Sequence, residues 1–132
     1  MINHYFLRYS LALLTLAILS HPNIVQANIK DYEFKLIQDH VKKGQAFVDV
    51  RLIHTPDNHA VPEAIIFSKR LDMAPDNRED MTSEIEQITS PEAGVYRFEV
   101  NLSALGKWRI SLAAKIQGEK ETLVSHLGVT AE

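Results

Sequence analysis

The 132-residue chain has no cysteine. That absence removes disulfide staples, thiolate metal ligands and cysteine nucleophiles together, so an exported domain of this length depends on packing alone. An excess of basic residues is also missing, with 14 Lys+Arg against 17 Asp+Glu. A nucleic-acid binder should carry a basic surplus to displace counterions, and no polybasic patch is present for anionic lipid. The five glycines read as turn or element-end residues, and none is expected to form a phosphate-cradling loop. There is no Gly-x-Ser-x-Gly and no His-Glu-x-x-His. The neighbouring carboxylates Glu79 and Asp80 lie in a polar stretch, where no altered pKa is expected without burial. The chain therefore reads as non-enzymatic. Long apolar runs are lacking too, except Leu11–Leu19.

That one run has a context. Met1–Ser10 carries His4 and Arg8 and no acid, Leu11–Leu19 is apolar apart from Thr15, and Val25-Gln26-Ala27 supplies a small-x-small end. The order matches a secretory signal cleaved after Ala27, with residues 1–27 as signal and 28–132 as one domain. As an anchor, the run at ~1.5 Å per residue reaches only about half of a ~30 Å hydrocarbon core, so no stable membrane insertion is expected after processing. Without Arg8, the remaining chain holds 13 bases against 17 acids.

Period-2 alternation dominates the rest. Tyr32, Phe34 and Leu36 alternate with Glu33 and Lys35, and Val48, Val50 and Leu52 with Asp49 and Arg51. Tyr96–Leu102 and Trp108–Ile116 alternate likewise, and Leu123, Leu127 and Val129 mark a last strand. Ala64–Leu71 and Ser83–Thr89 are shorter candidates. Alternation of this kind gives antiparallel strands with one face in the core and one in water. Turn residues separate them at Lys43-Gly44, Pro56-Asp57-Asn58, Pro75-Asp76-Asn77, Pro91–Gly94, Leu105-Gly106 and Gln117-Gly118. The expectation is all-β: an immunoglobulin-like antiparallel β-sandwich of about seven strands. Trp108 and Tyr96, each just after a strand-entering glycine, should meet in its core.

The unusual segment is Leu71–Met81, which gathers four carboxylates and two methionines and is expected as a long loop. Thioethers suit Cu(I) or Ag(I), so Met73 and Met81 are candidate soft donors. A third donor would come from His54, His59 or His126. The competing reading is that both methionines pin the loop onto the sandwich by filling irregular apolar gaps.

The blocks Leu71-Asp-Met-Ala-Pro-Asp, Met81-Thr, Ser90-Pro-Glu-Ala-Gly-Val-Tyr-Arg-Phe-Glu, Gly106-Lys-Trp and Ser111–Glu119 resemble the FixH-like/YtkA-like group of small periplasmic proteins. The resemblance implies an immunoglobulin-like domain in the periplasm. It also implies an accessory role in copper or heavy-metal efflux or metal trafficking, beside a periplasmic adaptor or another efflux component. Many YtkA-like proteins carry a denser Met/His loop; here Arg78 stands where a methionine is expected. The alternative function is a metal-free protein-interaction module docking onto an envelope complex.

Overall fold

The computed structural model describes residues 28–132; the expected leader, residues 1–27, lies outside them. A short 3-10 turn, Ile29–Asp31, opens the domain, with the Asn28 side chain accepting from the Lys30 N–H. The strands are β1 Tyr32–Leu36, β2 His40–Val41, β3 Gly44–His54, β4 His59–Ala60, β5 Ile65–Met73, β6 Arg78–Ser83, β7 Ile85–Ile88, β8 Val95–Leu102, β9 Gly106–Lys115 and β10 Thr122–Ala131. They form two sheets. One runs β1-β3-β8-β7 with β4 beside β3; the other runs β2-β10-β9-β5-β6. All pairings are antiparallel except β2 with β10. The architecture is the expected immunoglobulin-like sandwich.

Alternation explains where the core sits. Along β9, Trp108, Ile110, Leu112 and Ala114 are buried, while Lys107, Arg109, Ser111, Ala113 and Lys115 face outward. Opposite them, Phe98 and Val100 of β8 and Val48, Val50 and Leu52 of β3 fill the other inner face. Tyr96 is also buried, but its hydroxyl is satisfied: it donates to the Val61 carbonyl (2.8 Å) and accepts from the Ala64 N–H (2.9 Å). One ring thus ties β8 to the segment between β4 and β5.

The strand total exceeds the sequence expectation for two reasons. β2 and β4 have two residues each, too short to show a period. The Leu71–Met81 segment is not a long loop but a hairpin: the end of β5, a 3-10 turn at Ala74–Asp76, and β6. Pro75 starts that turn, and Asn77 reverses the chain in the left-handed region at φ 59°. β6 hides its strand character because it is an edge strand, and charged side chains are what a solvent-facing edge carries.

The hairpin is held to β9 by a close approach. Asp76 accepts from the Lys107 N–H at 2.9 Å. Gly106 has φ +124°, and a Cβ there would collide with the Asp76 carboxylate and lie 3.1 Å from Met73 Cε. Gly106→Ala is therefore expected to destabilise by about 1–3 kcal/mol through backbone strain, read as a lower urea midpoint. An unchanged midpoint would show that the hairpin moves away at no cost.

Candidate functional site

The residues singled out from sequence fall into three separate places. Met73 and Met81 share the β5–β6 hairpin. Met73 is fully buried, and Met81 is partly buried against the core. Both sit where apolar packing explains them, and Met73 borders Gly106 at the start of β9.

His54 and His59 do come together. They are cross-strand partners on β3 and β4, and the turn between them places Asp57 against both. Asp57 lies 2.8 Å from His54 Nδ1 and 3.5 Å from His59 Nδ1. The hydrogen bond to His54, then the His59 backbone N–H, holds the Asp57 carboxyl below its usual range. The Tyr32 ring packs against His54 in a tilted arrangement, with centroids 5.0 Å apart and planes at 55°, and its hydroxyl donates to Glu119 at 2.9 Å. Burial first, and that bond second, push the Tyr32 pKa up. Tyr32, His54, Asp57 and His59 line an open cleft of about 440 Å³ that also touches Ile116 and Gln117, past the end of β9. The methionines are at the start of that strand. β9 has 10 residues, so at ~3.3 Å per residue the histidine pair and the thioethers are separated by about 30 Å.

His126 is in neither place. It pairs with Ser111 on the outer face of the second sheet, and its Nδ1 lies 2.9 Å from Ser111 Oγ. The methionines pack on the inner face of the same sheet. None of the three named histidines reaches the methionines. Among the described residues, no group of three or more His, Cys, Asp or Glu is arranged to hold a metal.

Two features escaped the sequence reading. The first is Asp72, fully buried on the outer face of the second sheet. It accepts from Arg70 Nε (2.9 Å), an Arg109 guanidinium N–H (3.0 Å) and the Ala74 N–H (2.9 Å). Arg109 also reaches Glu79 at 3.5 Å, and Arg70 donates to the Glu79 carbonyl. Burial alone would raise the Asp72 pKa, but the Ala74 N–H and the two guanidiniums outweigh it and leave the carboxyl below its ordinary value. Sequence parity does put Asp72 and Arg109 on outward positions of their strands. What it lacked was the register Asp72↔Arg109, which a period alone does not give.

The second is an apolar patch on that outer face. Ile65 and Val124 are exposed at 67% and 62%. Ala113 lies between Val124 of β10 and Ser68 of β5 in register. Phe67 is the extra residue at the β5 irregularity between Ile66 and Ser68 and is also exposed. Lys115, the partner of Ile65, and Arg70 border the patch.

The model of the YtkA-like family matches residues 26–113. This chain belongs to the YtkA-like family. The matched stretch of the YtkA-like domain takes in the hairpin, the histidine turn and most of β9, and stops before β10. No curated protein sequence matches significantly. Among solved structures, the ZirS C-terminal domain is similar at 9% identity and TM-score 0.46, over 100% of this chain and 87% of that one. The Lin-41 filamin domain is similar at 17% identity and TM-score 0.43, over 73% of this chain and 92% of that one. In the described residues, no helix is long and apolar enough to cross a membrane.

Proposed function

We propose that this YtkA-like domain is a non-enzymatic accessory module of the bacterial periplasm that works by docking onto a partner protein of an envelope complex. The carrying observation is the exposed Ile65–Phe67–Val124 patch around Ala113, on a sheet face with cationic borders. Exposed apolar clusters with a polar rim mark interaction sites. The partner surface that fits is apolar with acidic residues at its edge, facing Lys115 and Arg70. A periplasmic location rests on the leader pattern before Asn28.

Metal trafficking is the competing reading. It needs the thioethers of Met73 and Met81 to leave the core, with no named histidine within reach of them. Two measurements separate the readings. A photo-crosslinking residue at position 67, in cells producing the full chain, is expected to capture one defined protein other than the chain itself. The same residue at Lys35, on the opposite sheet, captures none, and Ile65→Glu weakens the capture at 67. In parallel, Ag(I) titration of the wild type and of Met73→Leu with Met81→Leu is expected to give equal affinity. Tight stoichiometric Ag(I) binding lost in the leucine variant, with no adduct at position 67, would reverse the order of the two readings.

A further inference from the structure

The four lateral edges of the sandwich are not equally protected. β1 presents Glu33 and Lys35, and β7 is four residues long and carries Glu86. β6 begins Arg78-Glu79-Asp80 and pairs with β5 through a register shift. Short length, charge and irregular pairing are the means by which sheet edges avoid joining other strands. β10 has none of them. From Leu123 to Ala131 it contains no Asp, Glu, Lys, Arg or Pro, and its pairing with β9 is regular from Thr122 to Ala131. On its other side, β2 covers only Thr130 and Ala131.

The uncovered part has a definite orientation. The Thr130 N–H donates to the Asp39 carbonyl at 2.7 Å, so it points toward β2. Alternation puts the N–H and C=O of Gly128, His126, Val124 and Thr122 on the same side. Among the described residues, no strand pairs with β10 there. β1 and the Ile29–Asp31 turn pack beside β10 but make no backbone hydrogen bond to it.

We infer that the occupant of this edge is a second copy of the chain, with the two β10 strands antiparallel about a two-fold axis at Ser125. The register follows from what is free. Pairs that exchange hydrogen bonds must both point their backbone groups at the edge, and the pairing must stop short of Thr130, where β2 sits. Centring on Ser125 meets both conditions and is the register that pairs the whole free stretch from Thr122 to Gly128. Val124 then stands opposite His126 of the second copy, and Thr122 opposite Gly128. On the inner side, Leu123 meets Leu127 and Ser125 meets its own equivalent. The inner-side pairs match in polarity, Leu with Leu and Ser with Ser, and no like charges meet although the chain as a whole is net negative at −3. The β2-β10-β9-β5-β6 sheet of each copy joins that of the other into one continuous sheet. This interface adjoins the docking patch and shares Val124 with it, but Ile65 and Phe67 lie on β5 and take no part in the β10 pairing, so Ile65→Glu tests the patch without touching the edge.

The test is sedimentation velocity over a concentration series with the full chain, wild type and two charged variants. Wild type is expected to show a reversible monomer–dimer equilibrium. Val124→Lys with His126→Lys places lysine against lysine in this register, and Val124→Glu with His126→Glu places glutamate against glutamate. Each should be monomeric with a wild-type melting temperature, since both positions are exposed. An equimolar mixture should form heterodimers. Amide hydrogen exchange on the wild type gives a readout free of substitutions: protection at Val124, His126 and Gly128 should rise with protein concentration. A wild type that stays monomeric, variants that still self-associate, or exchange at these amides that ignores concentration would each overturn the inference.

Discussion

Trp108→Ala is expected to remove most of the stability of the domain. The ring is fully buried on the inner face of β9, a strand paired on both sides, so its neighbours cannot collapse freely into the space it leaves. Its Nε1–H donates to the Ala104 carbonyl at 3.0 Å, which also fixes the turn between β8 and β9. Truncating a buried aromatic costs about 3–5 kcal/mol from lost transfer energy plus the cavity. Small domains hold about 5–15 kcal/mol in total, so the variant should be largely unfolded at physiological temperature. Trp108→Phe keeps much of the volume and loses the hydrogen bond; it should fall between the two. Circular dichroism against urea reads all three proteins, because the only tryptophan is lost in both variants. An alanine variant melting with the wild type would mean that the ring supports nothing.

Asp72→Asn is the second large effect, and its size should depend on pH. The substitution keeps the shape of the side chain while leaving Arg70 and Arg109 without their buried carboxylate. Three hydrogen bonds end on that group. The side chains of Arg70 and Arg109 are 51% and 29% exposed, so water recovers part of the loss. About 2–4 kcal/mol at neutral pH is the resulting expectation. The sign follows from linkage. The folded-state pKa of Asp72 lies below its unfolded value near 3.8, so the native state binds fewer protons. The stabilisation is complete well above that unfolded value and disappears as pH falls through the folded value. The gap in melting temperature between wild type and Asp72→Asn should therefore be wide at pH 7 and narrow in acid. A gap independent of pH would place the loss in shape or hydrogen-bond geometry instead of charge.

Much of the fold was legible because a strand half in water must alternate. Tyr32–Leu36, Tyr96–Leu102 and Trp108–Ile116 each display that period, and each is a strand within a residue or two. The β6 strand was hidden by its charges. Its neighbour β5 was only partly legible, because the irregularity at Phe67 breaks the period midway. The candidate site fared differently. Residue chemistry singles out thioethers and imidazoles as candidate donors, but ligand sets are made by proximity, and proximity is set by register and face. Met73 and His126 sit on opposite faces of one sheet. His54 shares an end of the sandwich with Gln117, about a strand length from Met73.

The sequence by itself determined the class of fold, the inward-facing residues and, through its blocks around Leu71, Ser90 and Gly106, the family. These are local properties, since period, turn chemistry and motif all act within a few residues along the chain. Tertiary structure alone decided that Asp72 meets Arg109, that both thioethers serve the core, that Ile65 and Val124 share an exposed face, and that β10 has an open edge. Each depends on which strands lie side by side and in what register. A shift of one residue would turn every side chain of a strand to the other face, and no local pattern carries that information between strands far apart in the chain.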